Sequence, residues 1–164
     1  MIRAAEVGDA HAIARVHVRT WEQAYSHVFS PEALAQRSVE HREAQWRDWL
    51  ERGVAAIFIA EADGVVIGFA SAGESGDFPG SGEVHAIYVE AEHWGSGIGP
   101  ALLERAEDAL RVRGFGDAVL LVLADNPRAR RFYERHGWRA GDAFLEPIRG
   151  QDVEVVWYRK DLAR

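Results

Sequence analysis

No cysteine occurs among the 164 residues. Disulfides, thiolate metal sites and a cysteine-held acyl intermediate are therefore excluded. Lysine is nearly as scarce, with none between residues 1 and 159. A Walker phosphate loop, which needs Gly-Lys-Ser/Thr, thus has no place in the chain. No apolar run approaches the ~18 residues of a membrane span. No charged-apolar-small leader opens the sequence, so a cytoplasmic protein is expected. None of the seven histidines forms an H-x-x-x-H pair with carboxylate support, and His41 has no partner at metal-ligand spacing, so no metal is expected. The net charge of −7 argues against nonspecific nucleic-acid binding and is mildly compatible with a cationic substrate. Repeats and low-complexity linkers are also missing. What remains is one domain over residues 1–164, 48% apolar and able to bury a substantial core.

The chain is organised around residues 82–111. Val84, Ala86 and Tyr88 alternate with His85, Ile87 and Val89, and β-branched and aromatic residues dominate the second half, which predicts a strand over 82–89. A polar turn, Glu90 to His93, leads to Trp94-Gly95-Ser96-Gly97-Ile98-Gly99. Beyond it Ile98, Leu102, Leu103, Ala106, Ala109 and Leu110 share one helical face, with Pro100 in a first turn that tolerates proline. Strand, glycine loop and helix N-terminus together offer unpaired N–H groups and a positive dipole end to an anion. The same glycines also serve a plain connecting turn. A dinucleotide fingerprint is excluded, because Pro100 stands where its third glycine belongs when counted from Gly95.

Elsewhere, residues 2–5 read as a short strand. Asp9 is placed to cap a helix whose face carries Ile13, His17, Thr20, Trp21 and Ala24. Trp21 and Tyr25, one turn apart, read first as core. Ser30-Pro31 opens a second helix running to about Arg52. Residues 54–60 and 65–72 form a hairpin about Asp63-Gly64. Residues 118–124 are a continuous apolar run, expected of a strand buried on both faces. Asn126-Pro127 starts a last helix with Ala129, Phe132, Tyr133 and His136 on one face, stopped by Gly137. Residues 138–145 and 153–159 close the chain as strands joined by a Pro-Gly loop. The order β-α-α-β-β-β-α-β-α-β-β predicts an α/β fold, a mixed sheet of about seven strands with helices on both faces.

Two segments carry a family resemblance. Trp94-x-x-Gly97-x-Gly99 after a strand ending in Val89 resembles the pyrophosphate loop of the GNAT acyltransferases, usually Q/R-x-x-G-x-G/A, with Trp94 in the Gln/Arg place. Asn126-x-x-Ala129-x-x-Phe132-Tyr133-Glu134-x-x-Gly137-Trp138 is similar to the family's N-x-x-A-x-x-F-Y-x-x-x-G-F segment. The resemblance implies a GNAT fold and acetyl-CoA as co-substrate. The central strand and the strand at 118–124 would splay, with Ile87, Tyr88 and Val89 pairing with the pantetheine arm. Trp94, Gly95, Ser96, Gly97, Ile98, Gly99 and Pro100 would surround the pyrophosphate. Because Trp94 removes a polar side chain, binding there would rest mainly on backbone amides. Asn126 would touch the pantetheine arm or the acceptor, and Trp21 and Tyr25 would border the acceptor pocket.

The reaction implied is direct acetyl transfer to a primary amine. Tyr133, by pattern a core residue, matches the family's general acid. Glu83, or His85 sharing its face, matches a base, with water alone as a third option. The partners are acetyl-CoA and an amine acceptor, with a homodimer left open and neither nucleic acid nor membrane expected. A polyamine, amino acid, antibiotic or protein N-terminus would each suit the chemistry. The alternative is an acyl-CoA-binding or regulatory domain without turnover.

Overall fold

The computed structural model describes residues 1–163. Its strands are β1 (Ile2–Ala4), β2 (Ala56–Ala62), β3 (Val65–Glu74), β4 (Gly82–Val89), β5 (Asp117–Leu123), β6 (Arg139–Ile148) and β7 (Gln151–Asp161). Its helices are α1 (Ala10–Tyr25), α2 (Pro31–Leu34), α3 (Val39–Arg52), α4 (Ile98–Val112) and α5 (Pro127–Arg135). The strands make one mixed sheet in the order β1-β2-β3-β4-β5-β7-β6, the seven-stranded α/β arrangement that the element order predicts.

Each face of the sheet is covered by the apolar stripe of different helices. α4 buries Leu102, Leu103, Ala106 and Leu110 against Ile67, Val84, Leu120 and Val156. α1 and α3 bury Ile13, Val16 and Trp46 against Ile57, Ile59 and Phe69 on the other side. Each such large side chain contributes about 1.5–3 kcal/mol when removed from water. Gly82 allows α4 to lie close, since a Cβ there would sit 2.9 Å from a Leu110 methyl carbon. Among the described residues no helix is long and apolar enough to cross a membrane.

Four local expectations are corrected. The helix expected from Pro31 to about Arg52 is two helices. Ser30 Oγ caps α2 by accepting from Ala33 N at 3.1 Å, and Ser38 Oγ caps α3 by accepting from His41 N at 3.1 Å. Ser38 is a second cap signal inside one apolar-periodic stretch, and its own extended backbone interrupts the helix. Asp9 precedes α1 without capping it. Its carboxylate instead accepts from Glu6 N at 2.7 Å and pairs with Arg3 at 2.9 Å, because a 3-10 turn at Val7–Asp9 runs straight into α1. The closing hairpin is longer than expected, with only Arg149 and Gly150, both at positive φ, left to turn it. Pro147 fits inside β6 because β6 is an edge strand. Finally, β5 is not buried throughout, since Leu121 is 38% exposed.

One polar cluster ties α4 to β7 and to the segment after α5. Glu107, buried on α4, accepts from Trp138 Nε1 at 3.0 Å and from Lys160 Nζ, the chain's single lysine, at 2.9 Å. Glu107→Ala leaves a half-buried ammonium and a buried indole N–H unpaired and should lower the unfolding free energy by about 1–3 kcal/mol in urea titrations. Asp48→Ala, which breaks an exposed pair with Arg52 on α3, should stay within about 0.5 kcal/mol of the parent.

Candidate functional site

The site is a gap in the sheet. β4 and β5 run parallel but pair at two positions only, Gly82↔Ala118 and Glu83↔Val119. From there β5 stays with β7 along its whole length, while β4 stays with β3. The register of β3 on β4 shifts between Ser71 and Ala72, so that His85 is an extra residue on β4. Such a bulge bends the strand and increases its twist, which carries β4 away from β5. It also breaks the alternation read from the sequence. Val84 lies with Ile87 and Val89 on the α4 side, whereas Ala86 and Tyr88 pack on the α1 and α3 side. The shared face expected of Glu83 and His85 therefore does not follow from alternation.

Between the parted strands lies a narrow cleft of about 130 Å³ that opens to solvent. Ile87, Tyr88 and Val89 line one wall, and Leu120, Leu121 and Val122 line the other. The exposure of Leu121 is thus exposure to the cleft. Thr20 and Tyr25 of α1, Asn126 at the head of α5, and Arg128, Phe132 and Tyr133 of α5 complete the lining.

At the mouth stands the glycine loop. Gly95 and Gly97 adopt φ of 76° and 88°, a region in which a side chain would be strained. Gly97 is the N-cap of α4 and supplies no side chain, and no acidic residue occupies the first turn. Ile98 and Gly99 head the helix, and Pro100 removes one donor from its first turn. The Ser96 hydroxyl is turned back to the His93 carbonyl.

Trp94 does not sit over those amides. Its indole N–H donates to the Val89 carbonyl at 2.8 Å, and its ring lies across the cleft. The Arg128 guanidinium stacks on that ring, 3.4 Å from its centre. Arg128 is the one cation lining the cleft among the described residues, and sequence reading passed over it. A signal did exist: a positive charge in the first turn of α5 opposes the helix dipole and so needs another reason to be there.

Asn126 serves two groups. Its Oδ1 accepts from Ala129 N at 3.2 Å as the cap of α5, and its Nδ2 donates to the Tyr25 hydroxyl at 3.3 Å. Trp21 Nε1 donates to the Tyr88 hydroxyl at 3.1 Å, so Trp21 stands behind the cleft wall while Tyr25 is part of it. Of the four tyrosines, Tyr25, Tyr88 and Tyr158 have hydroxyl partners. Tyr133 has none among the described residues, and it lines the cleft. Burial raises its proton affinity above the ordinary phenol range, Tyr88 raises it further, and Arg128 opposes.

The two candidate bases are neighbours with different exposure to the cleft, since the His85 charge acts on the Glu83 carboxyl while only His85 belongs to the lining. His85 lines the cleft, with Nε2 3.3 Å from the Glu74 carbonyl. Glu83 sits at the closed end, off the lining, and accepts from Ser75 Oγ at 2.8 Å. Burial raises the Glu83 carboxyl above its usual range, while the Ser75 hydroxyl lowers it in part. Behind Tyr88, the buried His17 ring stacks at 5.2 Å and its Nδ1 accepts from Trp46 Nε1 at 3.1 Å. Burial pushes His17 from 6.5 down to about 3. Among the described residues no group of three or more His, Cys, Asp or Glu is placed to hold a metal.

The acetyltransferase (GNAT) family model matches residues 15–138. The uncharacterized N-acetyltransferase YuaI of Bacillus subtilis is 32% identical over 162 residues, covering 95% of this chain and 91% of its own. An N-acetyltransferase structure from Staphylococcus aureus Mu50 superposes with a TM-score of 0.80 at 23% identity, covering 99% and 98% of the two chains. The PaiA N-acetyltransferase of Thermoplasma acidophilum, solved in complex with coenzyme A, superposes at 0.76 with 22% identity, covering 98% of both.

His17 gives the site a pH limit. The unfolded chain takes up its proton below pH 6.5, whereas the folded chain does so only near 3, so stability is lost as pH falls through that window. His17→Gln keeps an acceptor for Trp46 and removes the titration. Between pH 6 and 4 the variant should lose up to about 2 kcal/mol less stability than the parent, read by urea unfolding at each pH. Parallel curves would mean that His17 stays accessible to protons in the folded protein.

Proposed function

The chain belongs to the acetyltransferase (GNAT) family, and from that premise we propose that it moves the acetyl group of acetyl-CoA directly onto a primary amine, as one domain spanning residues 1–164. Acetyl-CoA supplies an acetyl group activated as a thioester. Three features fit such a molecule. The Val89 carbonyl, at the end of β4, accepts from a side chain, the Trp94 indole. The glycine loop leaves the α4 N-terminus without side chain or acidic group. Arg128 adds a cation that pairs with no carboxylate among the described residues. The Thermoplasma neighbour's complex with coenzyme A is in keeping with this fit.

In the transfer a C–N bond forms and the C–S bond breaks. One proton leaves the amine nitrogen and one must reach the departing sulfur. No cysteine exists to hold the acetyl group, so both substrates are bound together. Tyr133 gives its hydroxyl proton to the sulfur. Its raised affinity keeps that proton in place at neutral pH until negative charge develops beside it. His85, on the cleft wall, takes the amine's proton directly or through water. Glu83 acts from the closed end, through water or through His85. The Ile98 and Gly99 amides, the α4 dipole and Arg128 hold the pyrophosphate, and the β4 edge from Ile87 to Val89 orients the pantetheine arm.

The observation that carries this reading is the unpartnered Tyr133 hydroxyl inside the gap between β4 and β5. Acetyl-CoA should raise the melting temperature of the parent by mass action, and Gly97→Glu should abolish that rise by filling the loop with a charged side chain. Tyr133→Phe should keep the rise, yet lower kcat by about 10²–10⁴ with little change in KM, measured as free thiol with an amine panel. Full activity in Tyr133→Phe would overturn the acid assignment. A melting shift without thiol release from any amine would leave an acyl-CoA-binding or regulatory domain.

A further inference from the structure

Three guanidiniums converge behind the Tyr88 wall of the cleft without a carboxylate among them. Arg149, at the β6–β7 turn, lies 4.3 Å over the Trp21 ring. Its Nη1 donates to the Leu34 carbonyl at 3.0 Å and the Ala33 carbonyl at 3.3 Å, which fixes it against the end of α2. Trp21 in turn donates to the Tyr88 hydroxyl. Arg42 stands one turn before Trp46 on α3, on the face that meets His17 and Tyr88. Its Nη1 donates to Gln45 Oε1 at 3.0 Å, and its Nε is buried with no partner, the one such side-chain atom among the described residues. Arg37, on the loop between α2 and α3, approaches His41 at 3.3 Å.

The grouping lies in a chain with 26 acidic and 19 basic residues. The half-buried cations Arg3, Arg15, Arg111 and Lys160 are matched by carboxylates, and the half-buried Arg130 lies against the Tyr158 hydroxyl. Arg37, Arg42 and Arg149 pair with none among the described residues. Burial, and then the charge of Arg149, push Arg42 down to about 10, and the charge of Arg37 lowers both. Like charges gathered where two of the three, Arg42 and Arg149, are half-buried are costly unless an anion joins them. A guanidinium fork with an unfilled buried donor matches a planar carboxylate or a phosphate.

We propose that the acceptor amine carries an oxyanion, a carboxylate or a phosphate on the same small molecule, held by Arg42, Arg149 and Arg37 while its amine faces His85 and Tyr133. The proposal rests on the acetyl-transfer reading for the amine's role, though the anion site stands on its own geometry. It excludes polyamines as preferred acceptors, in spite of the chain's negative net charge. Tyr88 is the divider: its backbone lines the acyl side, and its phenol, held by Trp21, faces the arginines.

The test uses matched pairs, amino acids against their amides and aminoalkyl phosphates against the parent amino alcohols, with the full chain and acetyl-CoA. The anionic member of a pair should give a kcat/KM at least about tenfold higher, and Arg42→Gln should erase most of that preference by raising KM. Arg37→Gln, on an exposed loop, should weaken the same preference, and it serves should Arg42→Gln fail to show the coenzyme A melting shift of a folded protein. Comparing the carboxylate pairs with the phosphate pairs identifies the oxyanion. In parallel, melting temperatures are read with each probe in the presence of coenzyme A. A rise with the anionic members alone, lost in Arg42→Gln, supports the anion site even if no thiol is released, an outcome that would sink the transfer reading and not this one. Equal response to charged and uncharged members, or a preference for polyamines, overturns the proposal.

Discussion

The parting of β4 from β5 after two residue pairs is the constraint on which the rest depends. A sheet is held by its ladder, and each backbone group removed from the ladder must find another partner or face water. Here β5 keeps its ladder with β7 and β4 keeps its ladder with β3, so each strand remains anchored while the seam between them opens. The bulge at His85 supplies the bend. Leu121 and the Val89 carbonyl are what the opening exposes, one apolar and one polar, and both lie where an extended acyl carrier would run.

Helix placement then converts the gap into a site. α4 aims an undecorated N-terminus at one end, and α5 lays Arg128, Phe132 and Tyr133 along the side at intervals of four and one. The gap and the helices are coupled through α4, whose Glu107 cluster reaches β7 and Trp138. Tyr133 is packed near Trp138 with its hydroxyl left free, so rigidity of the ring and freedom of its proton coexist. Preorganisation of this kind is where catalytic power in acyl transfer comes from, because the donors need not move when charge develops.

Charge is distributed unevenly across the molecule. Net charge over the whole chain is negative, and several arginines, Arg3, Arg15, Arg19, Arg111 and Arg159 among them, are matched by carboxylates. The interior behind Tyr88 holds the opposite sign, and it is assembled from the loop before α3, the first turn of α3 and the tip of the last hairpin. Those positions are far apart in sequence, so the bulk charge of the chain says nothing of the sign at this place.

What the sequence determined by itself is local. Period-3.6 and period-2 apolar spacing decided the helices and strands, and Asp63-Gly64, Asn126-Pro127 and the glycines at 95 and 97 decided turns and caps, because these depend on one residue's φ or one neighbour's hydrogen bond. The glycine loop and the segment Asn126 to Trp138 were legible for that reason. Tertiary structure alone decided the rest. The bulge at His85 depends on how β3 and β4 pair, and it set His85 on the cleft lining and Glu83 off it, which alternation alone did not foretell. Trp94 reaches from the glycine loop to the Val89 carbonyl, and Arg128, thirty-four residues on, packs over its ring. The freedom of the Tyr133 hydroxyl and the company of Arg42, Arg37 and Arg149 are likewise relations between distant segments. No window of the chain contains them, since contacts of long sequence separation are fixed only when the sheet and its helices close together.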